Sequence, residues 1–415
     1  MMKQLSNDIF LSNIDTPLKY SFEVVERKGL GHPDTLSDAL AEELSRVYSK
    51  YTLSNFKAIL HHNFDKVGLL GGSSHVEFGK GYMKSPIRVL LNGRASSKFG
   101  SIKIPVKEIL ESTALNFLLK RFPMLNPKTD INVCYNLSTT SSPGNVEEKS
   151  KKNFARRYWF KPRGLHDLQE LKNLCSNDTS SGCAFAPLSN TEKTVLDIER
   201  RLNSDKYRKN NPWIGSDIKV MATSINGELG ITICVPQIAD HVPDMNSYIR
   251  NIQQVRLDII NIAKKRFNED KVSISINTRD KINSCELYLT ATGSSIESGD
   301  EGLVGRGNRI NGLITPCRPM SIEGVCGKNP VYHVGKIYNI AARSIAERIN
   351  KEYEKYVEVY IISQSGRFLT KPWKTIILIE NGKTDEENIL SIVRSEIERM
   401  PEIKNSLLDG KIELF

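Results

Sequence analysis

The sequence predicts an α+β fold. Alternating apolar stretches read as strands, these come largely in pairs, and stretches of helical period separate the pairs several times along the chain. Helices covering one face of antiparallel or mixed sheets follow from that order. At roughly 150 residues per domain, the 415 residues suggest two or three domains. The expected division is an N-terminal part at 1–135, a central part at 136–280 and a C-terminal part at 281–415, with discontinuous boundaries.

In chain order, Tyr20 to Val25 alternates and reads as a strand. Behind a charged, glycine-broken turn, Leu36, Leu40, Leu44 and Val47 recur at helical spacing. Ala58 to His62 and Ile87 to Leu91 read as strands and Val106 to Leu119 as a helix. His61 and His62 are neighbours, so in a strand they face opposite ways, one packed and one toward a site. Leu137 to Phe160 is polar and then basic, and reads as a mobile loop, either a solvated surface or a substrate-gating lid. Thr191 to Leu202 reads as a helix. Ile218 to Thr223 and Leu229 to Val235 flank Asn226-Gly227, a strong hairpin signal. Ile249 to Phe267 is an amphipathic helix, Val272 to Ile276 and Leu287 to Thr292 are strands, and His333 to Ile349 is a helix. Val357 to Ser363 and Thr375 to Glu380 are strands, and Asn388 to Met400 is a closing helix.

The formal net charge of +10 favours anionic partners such as nucleotides and polyphosphates. It is spread along the chain, so nucleic-acid binding is not indicated. The seven cysteines are scattered without C-x-x-C spacing, which argues against zinc and for reduced thiols. The N-terminal residues contain no apolar core of signal-peptide length, and no run approaches the ~20 apolar residues of a membrane span. A soluble cytoplasmic protein without a membrane partner is expected.

Two stretches carry chemistry. Gly299 to Lys336 packs Gly302, Gly305, Gly307 and Gly312 around Arg306, Asn308 and Arg309, then adds Arg318, Lys328, His333 and Lys336. Glycine permits close backbone approach, and the cations supply donors for phosphate oxygens, so this reads as a polyphosphate cradle or as a basic, turn-rich surface loop. It is neither a Walker A loop, since no Ser or Thr follows Lys328, nor a Rossmann turn, since the third glycine is missing. The second stretch, Glu26 to Asp34, delivers His32 and Asp34 to a helix N-terminus, where free N–H groups favour anions. Asp34 there is a candidate helix cap. A histidine between Gly31 and Pro33 is no regular core residue, and can donate to a phosphate or a leaving-group oxygen.

Four motifs in register give the family. ERKGLGHPD at Glu26–Asp34, ILHHNFDKV at Ile59–Val67, NDTSSGCAFAPLS at Asn177–Ser189, and GDEGLVGRGNRINGLITPCRPMS with GKNPVYHVGKIYN across Gly299–Asn339 together resemble the archaeal-type S-adenosylmethionine synthetases. The resemblance runs from about Tyr20 to the C-terminal helix. It implies three related sub-domains with pseudo-threefold symmetry, and a homodimer or dimer of dimers with active sites between subunits. It also implies a reaction in which methionine sulfur displaces triphosphate from C5′ of ATP, assisted by Mg²⁺ and K⁺. His32, Lys328 and Arg306 are the expected catalytic residues and Asp34 the expected Mg²⁺ ligand. Lys28, Asn63, Asp65, Asp178, Ser180, Asp300, Arg309, Arg318, His333 and Lys336 are the expected substrate- and phosphate-binding set.

The chain departs from the pattern where the family has G-x-G-S-x-D. Asn136-Leu137-Ser138-Thr139-Thr140-Ser141 stands there without the aspartate. Glu301, Leu36-Ser37-Asp38, Phe64 and Phe185 are further departures. The phosphate-handling half is nearly intact and the nucleoside or amino-acid half is altered, so the segment Ser138 to Arg157 is expected to decide which nucleophile is accepted. Besides a working methionine adenosyltransferase, the sequence leaves open a diverged relative with another nucleophile or only triphosphate hydrolysis, and a non-catalytic nucleotide-binding subunit.

Overall fold

In the computed structural model, which describes residues 2–15, 21–140 and 158–415, the same arrangement occurs three times: a mixed or antiparallel sheet under a pair of helices. In the first unit, helix α1 (Pro33–Phe56) and helix α2 (Val106–Arg121) cover strands Ile131–Ser138, Ile87–Ala95, Gly68–Leu70 and Glu301–Leu303. In the second, α3 (Asn190–Leu202) and α4 (Met245–Ala263) cover Val272–Ile276, Glu228–Cys234, Lys219–Ile225 and Phe22–Lys28. In the third, α5 (Val334–Tyr353) and α6 (Glu386–Glu398) accompany Ile9–Ile14, Lys374–Glu380, Val357–Ile362 and Ser181–Ala186. Each unit has its own apolar core, formed around Leu40 and Leu91, around Val220 and Ile259, and around Ile345 and Ile377.

The sheets draw on distant parts of the chain, so none is confined to one third of it. Ile9–Ile14 pairs in parallel with Lys374–Glu380, Phe22–Lys28 pairs antiparallel with Lys219–Ile225, and Glu301–Leu303 pairs with Gly68–Leu70. These crossings bring the turn before α1 and the glycine-rich stretch together. One buried ion pair ties Phe22–Lys28, the strand of the second crossing, to α3. The Arg27 Nε donates to Glu199 Oε2 at 2.5 Å and its guanidinium also reaches Gly312 O, while Glu199 Oε1 accepts from Leu30 N at 3.3 Å.

The elements expected occur in the expected order, with these differences among others. Ala58–His62 is not a strand; only His62–Asn63 pairs, with Ile87–Ala95. Leu287–Thr292 shortens to Leu289–Thr290, because the Ala291 and Thr292 N–H groups turn to the Glu297 carboxylate at 2.6 and 2.5 Å. Ile131–Ser138 is a strand where a loop was expected from Leu137. Ser181–Ala186, small and without alternation, is also a strand. The expected basic loop falls largely in 141–157, outside the described residues.

Candidate active site

The turn before α1 is built by close packing. A Cβ on Gly31 would lie 2.2 Å from Ser216 Oγ, so only glycine lets the two segments meet. Pro33 then opens α1, where its missing N–H has no consequence, and His32 is the N-cap: its Nδ1 accepts from Asp34 N at 3.2 Å. With Nδ1 an acceptor, the neutral ring carries its hydrogen on Nε2. Burial lowers the His32 pKa below the ordinary histidine value, against the pull of Asp217 and Asp34. The ring is therefore a neutral donor at pH 7. Asp34 accepts from Leu303 N at 3.0 Å and from Lys28 Nζ at 2.8 Å, and Lys28 Nζ also donates to Arg306 O at 2.7 Å.

Helix α1 continues this pattern down one face. One turn on, Asp38 Oδ1 accepts from Gly305 N at 2.8 Å, and burial pushes its carboxyl up to about 7. A Cβ on Gly307 would lie 2.2 Å from Asp38 Oδ2. After another turn, Glu42 accepts from Lys336 Nζ at 2.8 and 2.6 Å and from Gly327 N at 3.0 Å. Asp34, Asp38 and Glu42 are a ladder at i, i+4 and i+8, which lie on one helix face. At 1.5 Å per residue it spans about 12 Å, and it organises the whole cradle.

The expected cations fall into two groups. Arg309 donates to Gly305 O at 2.6 Å and Gly307 O at 2.7 Å, bracing the loop from within. Lys336 is 0% exposed and bound to Glu42. Arg318 lies against Glu192 at 3.3 Å and Glu23 at 3.8 Å and over the Phe185 and Tyr356 rings. These three hold protein groups. Arg306 is exposed, and among the described residues its guanidinium has no partner. Lys328 is 3% exposed, touches the Glu323 carboxylate and lies 3.9 Å from Asp65 Oδ2; burial pulls it down to about 8, with Asp65 opposing.

His333 repeats the device of His32: it caps α5, its Nδ1 accepting from Gly335 N at 3.3 Å, and burial beside Lys328 and Lys336 holds it neutral. Asn63 forms a backbone bridge with Lys328. Asp178 Oδ1 accepts from Thr179 N at 2.8 Å, and Ser180 N donates to Ser363 Oγ at 2.8 Å, so both shape the turn before Ser181–Ala186. Asp300 Oδ2 accepts from Ser295 Oγ at 2.9 Å in the cavity that His32 lines. Contrary to expectation, neither histidine of the His61-His62 pair faces this site. His62 bonds Ser45 Oγ at 2.8 Å, and His61 stacks on Trp159 and bonds Tyr332 OH at 2.6 Å.

Comparison with known proteins decides the family. The chain matches the S-adenosylmethionine synthetase (AdoMet synthetase) family over residues 10–156 and 161–411. The chain belongs to the S-adenosylmethionine synthetase family. It is 39% identical over 392 residues to the probable S-adenosylmethionine synthase of Aquifex aeolicus, covering 93% of this chain and 94% of that protein. It is 37% identical to the S-adenosylmethionine synthase of Pyrobaculum neutrophilum over 98% of this chain and all of that one, and 38% identical to that of Saccharolobus solfataricus over 98% of each. The fold is similar to that of an unusual S-adenosylmethionine synthetase from Campylobacter jejuni, with a TM-score of 0.61 over 95% of this chain and 94% of that one at 16% identity.

Within this synthetase family member, sequence reasoning named Asp38 only within the departing Leu36-Ser37-Asp38 stretch and passed over Glu42, although an acid every fourth residue after Asp34 is a readable signal. It also passed over Asp217, which is 3% exposed beside His32. The arrangement suits Mg²⁺ in one way only. Among the described residues no three His, Cys, Asp or Glu side chains are grouped to hold a metal, whereas a single carboxylate completed by phosphate oxygens is an ordinary Mg²⁺ site, and Asp34 fits that description.

Proposed function

We propose that this chain joins methionine to the adenosyl group of ATP. The sulfur forms a bond to C5′ as the C5′–O bond breaks, and triphosphate leaves, to be cleaved to pyrophosphate and phosphate. The observation carrying this reading is the neutral His32, which lines the same cavity as Asp300 at the head of the carboxylate ladder that holds the cradle's cations and glycines. Negative charge develops on the departing oxygen, and a preorganised donor there stabilises the transition state more than the ground state. Arg306 and Lys328 supply charge to the triphosphate, with Lys28 alongside Asp34. Asn63, Asp65, Asp178, Ser180 and His333 form the surrounding wall, and Arg309, Arg318 and Lys336 keep its shape. Asp34 would hold Mg²⁺ together with the triphosphate, and the ion would there offset phosphate charge. K⁺ is carried over from the family resemblance, as is a cytoplasmic location; no helix among the described residues is long and apolar enough to cross a membrane.

We read the three sheet-and-helix units as the three sub-domains and the working form as a homodimer or larger. Leu303, Met320 and Ile322, the last 92% exposed, lie beside the cradle and support a covered surface there. Mass spectrometry after incubation with ATP, Mg²⁺, K⁺ and methionine tests the reaction. A sulfonium product is expected, and its absence with both cations present rejects it. A fully active monomer by light scattering at assay concentration rejects the assembly.

A further inference from the structure

His61 is 4% exposed and takes no direct part in the chemistry above, yet its ring joins two distant parts of the chain. It stacks on Trp159, with centroids 5.1 Å apart, and on Phe160 at 5.8 Å, and it tilts against Tyr332 at 4.9 Å. Nδ1 meets the Tyr332 hydroxyl at 2.6 Å, and Nε2 faces Glu170 Oε1 at 3.4 Å. Both Nε2 and Oε1 are buried, and among the described residues neither has another polar partner. A buried carboxylate oxygen is costly without a donor, so the ring hydrogen belongs on Nε2, toward Glu170. Nδ1 is then an acceptor. Burial pushes the Tyr332 phenol well above its ordinary pKa, so the hydroxyl keeps its hydrogen and gives it to Nδ1. Carboxylate, imidazole and phenol form one directed chain.

Its two ends belong to different pieces. Glu170 lies in the segment 158–171. That segment is tied to the first unit where Ser96 Oγ donates to Trp159 O at 3.3 Å, Gly100 N donates to Pro162 O at 2.7 Å and Leu168 enters the core. Tyr332 lies in the loop between Lys328 and His333. This loop rests on the residues around His61: Asn329 Nδ2 donates to Leu60 O at 3.1 Å, and Asn63 bridges Lys328. We propose that Glu170, His61 and Tyr332 are positioning residues for the triphosphate site. Glu170 fixes the ring tautomer, His61 fixes the phenol, and the phenol fixes the loop that aims Lys328. This rests on the assignment of Lys328 to the triphosphate above and deepens it. All three act through Lys328 and none on the reacting atoms.

The probe is imidotriphosphate, tripolyphosphate with NH in place of its bridging oxygens so that it resists cleavage, titrated with Mg²⁺ by calorimetry. One hydrogen bond between uncharged groups is worth about two- to tenfold in binding. Tyr332→Phe keeps the ring and loses the hydroxyl. It is expected to weaken imidotriphosphate by that factor, with the KM for methionine unchanged. Glu170→Leu, on the 158–171 segment, is expected to weaken it equally, and Glu170→Gln, which still accepts from Nε2, to restore it. In the Tyr332→Phe background Glu170→Leu is expected to add nothing, because residues acting through one chain are not additive. Additive losses overturn the proposal, as does a methionine KM that rises in step with the imidotriphosphate constant, or unchanged imidotriphosphate binding in Tyr332→Phe. Should Glu170→Leu not fold, Tyr332→Phe decides alone through the same split between the two ligands. Lys328→Met separates the two readings. If it leaves imidotriphosphate binding unchanged, the Lys328 assignment falls and this proposal with it. If it weakens binding while Tyr332→Phe does not, only the positioning chain falls.

Discussion

Replacing His32 separates the cap that this side chain forms from the donor role proposed for it above. As N-cap of α1 it accepts the Asp34 N–H at 3.2 Å, and as a residue lining the cavity it is proposed to donate from Nε2. Asparagine caps a helix as well as any residue, whereas alanine does not, and loss of a cap costs about 0.5–2 kcal/mol. Neither replacement offers an imidazole donor. Loss of one preorganised donor to developing negative charge lowers kcat by about 10²–10³. His32→Asn is therefore expected to lose that factor in kcat at nearly wild-type stability. His32→Ala should lose the same factor and also about 1 kcal/mol of stability, read by urea denaturation.

The pH profile sharpens the test. Protonation puts a hydrogen on Nδ1, facing the Asp34 N–H, and so breaks the cap. Because burial lowers the His32 pKa, the acid limb of kcat/KM should fall below the ordinary histidine value of about 6.5 and vanish in His32→Asn. A His32→Asn enzyme within threefold of wild-type kcat would refute the donor role. Equal stability of the asparagine and alanine variants would refute the cap.

Three further outcomes are expected. Lys328 is held down to about 8, so its charge is present below that pH and lost above it; the KM for ATP should rise through the window, and Lys328→Met should flatten the limb. Lys336→Met leaves Glu42 without its buried partner and should cost about 3–5 kcal/mol in chemical denaturation, most of it recovered by adding Glu42→Gln; unchanged stability would return Lys336 to the ligand-binding set. His32, His62 and His333 all have folded pKa values below the unfolded one, that of His62 at about 3. The unfolded chain then binds more protons below about 6.5, so stability should fall as pH drops through that window, by roughly 1 kcal/mol per pH unit for each fully neutral histidine. A flat stability profile between pH 7 and 5 would contradict their burial.

Local chemistry made much of this fold legible. Asn226-Gly227 marked a hairpin, and both glycines and histidines marked the two helix N-termini. What was missed depends on partners far along the chain. Ile9–Ile14 becomes a strand through Lys374–Glu380, and nothing in its own sequence names that partner. Ser181–Ala186 carries small residues because α5 lies on it: a Cβ on Gly182 would sit 2.4 Å from the Tyr338 carbonyl carbon. Composition there records close packing and not strand propensity.

The site divides along the same line. Residue type identified the cradle's cations, but which of them face a ligand depends on burial and on where the acids lie. Lys336 and Glu42 are 294 positions apart, and Lys28 lies beside Arg306 O across 278. The ladder on α1 resolves the ambiguity physically. A motif with this many cations repels itself unless some charge is neutralised internally. Asp34 offsets Lys28, Glu42 offsets Lys336, and the carbonyls of Gly305 and Gly307 fix Arg309. Arg306 is left open to an incoming anion. Lys328 meets Glu323, on a half-buried position of the Thr315–Gly324 segment. Most of the cradle's positive charge thus builds the loop, and a smaller remainder, Arg306 above all, is not neutralised internally.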